Sequence, residues 1–81
     1  MNEIIVYSKP NCHLCEEALE QIELARAEVS FTLQTVNILS DLELYQRYKH
    51  DIPVVTVNGV ERFRHRLLAD DLVALLRSVP G

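Results

Sequence analysis

The sequence predicts an α/β fold with the element order β-α-β-α-β-β-α, in which helices cover both faces of a mixed four-stranded sheet. An apolar, β-branched run at Glu3–Tyr7 is typical of a strand that is buried on both sides. The helix and strand patterns that follow it complete a βαβ unit, which requires parallel strands. Two later strand patterns joined by Asn58-Gly59 indicate a β-hairpin with a type I′ turn.

The first helix is predicted to begin at Cys12, after the turn-forming residues Ser8–Asn11. Asn11 or Cys12 is the expected N-cap, and the acidic residues just inside the helix suit the positive end of its dipole. Helical spacing places the apolar residues on one face, which we expect to be buried. This face consists of Cys15, Ala18, Leu19, Ile22, Ala25 and Val29.

The middle of the chain contains a second strand, predicted over Phe31–Val36, and a short second helix. Ser40 is followed three residues later by Glu43, which is the pattern of a capping box. We therefore expect Ser40 to be the N-cap of this helix, and we expect the helix to end near Tyr48.

The last third of the chain contains the hairpin and the third helix. The hairpin strands are predicted over Val54–Val57 and Val60–Arg64, and the helix near Ala69–Ser78. Charges on an edge strand oppose edge-to-edge pairing, and a basic cluster lies in the second hairpin strand and just after it. This cluster is Arg62, Arg64, His65 and Arg66. The apolar stripe of the helix is Leu68, Leu72, Leu75, Leu76 and Val79.

Length and charge limit the classes of function. The 81 residues suffice for one domain, so we expect a single domain over residues 1–81. The formal net charge of −4 would be repelled by a phosphate backbone, which argues against a nucleic-acid partner. No apolar run reaches the roughly 18 residues that a membrane span needs. The first residues lack the basic segment and the cleavage site of a secretory signal, so we expect a cytoplasmic protein.

The two cysteines of the chain, Cys12 and Cys15, lie in the segment KPNCHLCEE. In the cytosol, a C-x-x-C pair near a βαβ unit is typical of a redox couple. The helix N-terminus favours a thiolate at Cys12, and the positive charges of Lys9 and of a protonated His13 act in the same direction. The acidic residues after Cys15 oppose this effect. Lys9 and His13 are also candidates for substrate binding, with Lys9 as a partner for a substrate carboxylate. Cys12, at the exposed helix start, would attack a substrate disulfide. Cys15, facing the core, would then resolve the mixed disulfide.

Two other interpretations of the pair stay open from the residues alone. A structural zinc site needs four ligands, and only His13, His50 and His65 could join the cysteines as further nitrogen ligands. Their placement does not suggest convergence, so we predict no metal ligands within one chain. A cluster shared between two chains remains an alternative. The other alternative is an interaction module in which the pair no longer turns over.

Three segments resemble the glutaredoxin-like branch of the thioredoxin fold, and together they extend over nearly the whole chain. VYSKPNCHLC is similar to the family's strand followed by Tyr-Ser-Lys-x-x-Cys-x-x-Cys. DIPVVTVNG resembles the Val-Pro segment, strand and tight turn of the family, and ADDLVALL resembles the acidic start of its last helix. The resemblance implies a thioredoxin-like fold and a small thiol-disulfide oxidoreductase that acts on protein or glutathione mixed disulfides. We expect it to be a monomer.

The resemblance also implies roles for individual residues. Cys12 would be the nucleophile and Cys15 the resolving thiol. Pro53 would be the family's cis-proline, which prevents a backbone N–H from facing the sulfurs. Ile52 would offer its backbone to an extended substrate.

Two segments depart from the family pattern. His13-Leu14 stands where glutaredoxins usually have Pro-Tyr, and FRHRLL at residues 63–68 replaces the Gly-Gly that helps to hold glutathione. Asp70 or Asp71 could still meet the amine of glutathione. The expected electron source is therefore glutathione or thioredoxin reductase, with no bound organic cofactor.

Overall fold

The computed structural model of the protein describes residues 1–79, and its helices and strands follow the predicted order. The predicted domain limit at residue 81 lies outside this range. The strands are β1 (Asn2–Ser8), β2 (Phe31–Asn37), β3 (Val54–Val57) and β4 (Val60–Arg64). The helices are α1 (His13–Arg26), α2 (Leu42–Tyr48) and α3 (Ala69–Ser78), and a 3₁₀ turn at Ile38–Ser40 precedes α2. None of the helices in the described range is long and apolar enough to cross a bilayer.

The four strands form one sheet in the order β2-β1-β3-β4. β1 pairs in parallel with β2, whereas β3 is antiparallel to both β1 and β4. The predicted mixed sheet, with a parallel βαβ unit and a terminal hairpin, is therefore confirmed. β1 lies in the interior of the sheet, which explains why its sequence is apolar on both faces.

The helices cover both faces of the sheet, as predicted. On one face, Ile4 and Val6 of β1 pack with residues of α1 and α3, including Ile22 and Leu72. On the other face, Tyr7 lies against Tyr48 of α2, with the ring centroids 4.9 Å apart. Adjacent residues of β1 thus contribute to two separate apolar clusters because side chains alternate across a strand.

The hairpin turn has the predicted conformation. Asn58 and Gly59 both have a positive φ, 52° and 84°, as a type I′ turn requires. The pairing of β3 with β4 shifts between Val55 and Thr56, where the partners change from Phe63 to Glu61. One residue of β4 is therefore left without a partner in the register, which is the signature of a β-bulge.

Two predictions about helix starts and faces were wrong. The N-cap of α2 is Asp41, whose carboxylate accepts hydrogen bonds from the N–H of Glu43 and of Leu44, at 2.8 and 3.2 Å. Ser40 instead donates its hydroxyl to the C=O of Asn37, because the 3₁₀ turn occupies the preceding residues. Leu68 is 62% exposed and does not join the stripe of α3. The preceding residue, Leu67, is buried instead because the chain enters α3 in an extended conformation at Leu68.

Candidate active site

The cysteine pair lies at the start of α1, where the sequence predicts it. Cys12 is the N-cap, with extended backbone angles, and Cys15 is in the first turn. The two residues form a disulfide, and their Cα atoms are 5.2 Å apart. The Sγ of Cys12 also accepts a hydrogen bond from the N–H of Cys15 at 3.2 Å. One of the N–H groups left unpaired by the helix therefore points at the Cys12 sulfur.

The two sulfurs lie in different surroundings. Cys15 is 3% exposed and belongs to the apolar cluster on the α2 side of the sheet, which we call the redox-side cluster. Cys12 is only partly buried against this cluster. The buried members of the cluster are Cys15, Ile38, Tyr48, Ile52 and Val54. An incoming disulfide can therefore reach Cys12 more easily than Cys15.

The segment before β3 supplies the second part of the site. The Ile52-Pro53 peptide bond is cis, as the family resemblance implies. Ile52 is 8% exposed and packs in the redox-side cluster with Cys15. Within the described residues, neither the N–H nor the C=O of Ile52 has a hydrogen-bond partner. A free backbone donor and acceptor beside the disulfide suits the pairing of an extended peptide.

The charged residues singled out from the sequence lie around the site without converging on the sulfurs. Lys9 is exposed in the turn before α1. His13 is 84% exposed at its side chain, and its Nε2 lies 3.8 Å from Glu17. Asp70 and Asp71 are exposed in the first turn of α3. Neither carboxylate forms a hydrogen bond or ion pair with another side chain of residues 1–79, so both remain accessible.

His65 joins the segment before α3 to the segment before β3. Its N–H donates to the C=O of Pro53 at 2.9 Å, and its Nε2 lies 3.0 Å from the C=O of His50. The same nitrogen is 3.9 Å from the carboxylate of Asp51. His65 also has a φ of 65°, in the left-handed region that residues other than Gly adopt uncommonly, although Asn, Asp and His do so more often than the rest. Sequence reasoning placed His65 in the basic cluster and weighed it with His50 as a metal ligand, but it predicted neither the contact with the His50 backbone nor the link to Pro53.

Arg64 continues this link along the edge strand. Its guanidinium is 3.1 Å from Asp51 and also pairs with Glu61. The hydrogen bonds from Arg64 lower the pKa of Glu61, and the same bonds raise the pKa of Arg64. Both groups are exposed and lie on the same strand, so this pair is a surface contact of β4 that contributes little to stability and lies outside the cluster around Cys15.

Gln21 of α1 caps the start of α3. Its Oε1 accepts a hydrogen bond from the N–H of Ala69 at 2.9 Å, and this contact is partly buried. The N-cap residue itself, Leu68, has no side-chain oxygen with which to cap the helix. The segment before α3 is thus fastened to α1 by Gln21 and to the site by His65.

A groove of about 140 Å³ lies between α1 and the segment that replaces Gly-Gly. One wall is formed by α1 and the other by residues 65–68. Its lining residues are Leu14, Glu17, Ala18, Gln21, His65, Arg66, Leu67 and Leu68. Leu14 stands between the two cysteines in the sequence, so this α1–loop groove includes a residue of the C-x-x-C segment, although neither cysteine lines it.

In the part of the chain that the structure describes, histidine, cysteine and acidic residues do not assemble into a metal site. Among residues 1–79, no group of three such side chains is close enough together to hold one ion. His13 faces Glu17, and His65 faces His50 and Asp51. The metal alternative therefore requires a cluster whose ligands come from two chains.

A disulfide-bonded C-x-x-C pair at a helix start, together with a cis-proline before β3 and a mixed four-stranded sheet, places the protein among thioredoxin-fold proteins. The sequence matches the Glutaredoxin-like domain (DUF836) family over residues 3–77. The chain therefore belongs to the glutaredoxin-like domain family.

Solved structures agree with this assignment. The protein XcR50 from X. campestris is 28% identical, with a TM-score of 0.77 over 95% of this chain and 99% of that one. The protein Ne2328 from Nitrosomonas europaea is 26% identical, with a TM-score of 0.79 over 91% of this chain and 89% of that one. Thioredoxin-2, described as a component of malaria parasite protein secretion machinery, has a TM-score of 0.72. At 15% identity, over 98% of this chain and 84% of that one, it shares the fold alone.

Proposed function

We propose that the protein is a thiol-disulfide oxidoreductase that reduces or exchanges protein or glutathione mixed disulfides through Cys12 and Cys15. The observation that carries this proposal is the asymmetric pair, with a partly exposed Cys12 at the helix N-cap and a buried Cys15 behind it. The free backbone of Ile52 beside the pair supports the same proposal. We also propose that it acts as a cytoplasmic monomer.

The reaction begins with the reduced pair. The Cys12 thiolate attacks one sulfur of the substrate disulfide, which forms a Cys12–substrate disulfide and releases the other substrate sulfur as a thiolate. The N–H groups of the first turn of α1 stabilise the thiolate of Cys12 before the attack. The leaving thiolate takes a proton from water at neutral pH.

The second step regenerates the disulfide of the pair. Cys15 loses its proton to solvent or to the leaving sulfur and attacks the Cys12 sulfur. This forms the Cys12–Cys15 bond and releases the second substrate sulfur as a thiol. Two electrons have then passed from the pair to the substrate. A thiol or dithiol reductant must return them before the next turnover.

The electron source is either glutathione or thioredoxin reductase. Glutathione requires a place for its charged ends, and the accessible Asp70 and Asp71 are the candidates for its amine. The segment FRHRLL and the Gln21 cap occupy the region where the family's Gly-Gly would lie. We therefore favour a protein reductase as the donor, with glutathione as the alternative.

Two cysteine variants test the proposed function. We expect Cys12→Ser to abolish exchange with a protein disulfide, because the accessible nucleophile is lost. Cys15→Ser should accumulate a mixed disulfide that mass spectrometry detects, because the resolving thiol is lost. Ser8→Ala is a matched control outside the pair and should behave as wild type. Equal turnover by wild type and Cys12→Ser would refute the proposal.

The reduction potential separates a carrier from a static cross-link. Equilibration with dithiol buffers should give a value between about −180 and −270 mV, the range of disulfide isomerase, glutaredoxins and thioredoxin. A value below about −300 mV would indicate a structural disulfide and would contradict the proposal.

A further inference from the structure

The α1–loop groove runs away from the cysteines along one stripe of α1. Leu14, Glu17, Ala18 and Gln21 are spaced three or four residues apart, so they share one helix face. Leu14 and Gln21 are seven positions apart on the helix, which gives the groove a length of about 10 Å. At the far end, the hydrogen bond between Gln21 and Ala69 closes it.

The groove is apolar at its centre and charged at its rim. Its volume of about 140 Å³ is close to that of a cavity that accommodates a benzene ring. Leu68, which is 62% exposed, presents an uncovered apolar side chain there. Arg66 is exposed on the same wall, and no carboxylate of residues 1–79 pairs with it. Glu17, on the opposite wall, lies 3.8 Å from His13.

We propose that this groove binds the segment of a protein substrate that flanks its reactive cysteine, and that it selects a large apolar side chain followed by a carboxylate. The apolar side chain would occupy the groove, and the carboxylate would pair with Arg66. This proposal rests on the proposed function, since it concerns which protein disulfides reach Cys12.

The spacing of an extended peptide fits this arrangement. A segment that pairs with the free backbone of Ile52 would be extended, and its alternate side chains would point the same way, about 7 Å apart. If the peptide runs from Cys12 towards residues 65–68, the side chain two positions from the substrate cysteine would point towards the groove, about 7 Å along. The side chain four positions away would lie about 14 Å along, on the side where Arg66 lines the groove.

Single-cysteine peptides can test this selection. Each peptide carries its cysteine as a mixed disulfide with a chromogenic aromatic thiol. Attack by the Cys12 thiolate on the peptide sulfur forms the Cys12–peptide disulfide and releases the coloured aromatic thiolate. The peptides place Leu or Ala two residues from the cysteine, and Asp or Lys four residues away. Both chain directions are made.

We expect wild type to react about two- to ten-fold faster with the Leu/Asp peptide than with the Leu/Lys peptide, as an exposed charge pair allows. In Arg66→Glu this ratio should fall below one. Arg62→Glu has the same change of charge at an exposed position of β4 outside the groove, and it should keep the wild-type ratio. Raising the salt to about 1 M should bring the wild-type ratio towards one, because the Debye length falls to about 3 Å.

A second matched pair of variants tests the apolar part of the groove. Leu68→Ser should reduce the preference for Leu over Ala, whereas Leu24→Ser, at an equally exposed leucine of α1 outside the groove, should retain it. A wild-type Asp/Lys ratio near one at low salt would overturn the docking proposal, as would equal ratios in Arg66→Glu and Arg62→Glu. If wild type reacts with none of these peptides and with no small uncharged disulfide, the proposed function itself fails.

Discussion

Removing the Gln21 side chain tests how α3 is anchored. Gln21→Ala leaves the N–H of Ala69 without its partner in a partly buried position. Loss of a helix cap typically lowers stability by about 1 kcal/mol, within a range of about 0.5–2 kcal/mol. In a domain of this size, each kcal/mol lowers Tm by roughly 4–8 °C. We therefore expect Tm to fall by about 4–8 °C.

Gln46→Ala is the control for this prediction. Gln46 is an exposed residue of α2 and makes no side-chain hydrogen bond within residues 1–79, so the same atoms are removed without loss of a cap. Both variants gain the slightly higher helix propensity of alanine. Thermal unfolding followed by circular dichroism gives both Tm values under one condition. If the two variants unfold at the same temperature, the cap does not stabilise α3 and the reasoning is wrong.

Three further predictions concern stability. Glu61 has a lowered pKa because of Arg64, so its carboxylate stabilises the fold above its unfolded pKa and loses this effect as the pH falls through the folded pKa. Urea unfolding of wild type and Glu61→Gln should therefore differ at neutral pH and converge in acid, and a constant difference would contradict this assignment. Gly59→Ala should lower the free energy of unfolding by about 1–2 kcal/mol, since its φ is +84°; an unchanged urea midpoint would count against it. Leu72→Ala should lower the free energy of unfolding by about 2–5 kcal/mol, because Leu72 is fully buried. Leu24→Ala, at a 61% exposed site, should change the free energy of unfolding by less than about 0.5 kcal/mol. Similar losses of stability in Leu72→Ala and Leu24→Ala would refute the burial argument.

The cysteine end of the site was predictable because its signals are local. The spacing of Cys12 and Cys15, the turn residues before them and the helical pattern after them all lie within one short segment. The element bounds of the hairpin followed equally well from Asn58-Gly59, because that turn requires two residues that tolerate a positive φ. The cis bond before Pro53 was anticipated from the family resemblance, as residue patterns alone leave both isomers open.

The rest of the site depends on contacts between distant segments. Gln21 and Ala69 are 48 residues apart, and nothing in either local pattern predicts that one caps the other. His65 meets the segment before β3 because β4 brings it there, and a histidine in the sequence is too weak a signal to predict a left-handed backbone at that position. Even the N-cap of α2 was misassigned, since Ser40 and Asp41 are both good caps and the 3₁₀ turn before them decides between the two.

The position of β1 inside the sheet has a consequence for the newly made chain. β1 and the cysteines emerge from the ribosome before β3, because the antiparallel partner of β1 in β3 follows about 50 residues later in the chain. At typical rates of synthesis this delay lasts roughly 3–10 s. Ile52 and Val54, which bury Cys15, are also missing during that interval. During that interval both thiols of the nascent chain are therefore accessible to the redox buffer of the cell, because the burial that distinguishes Cys15 from Cys12 has not yet formed.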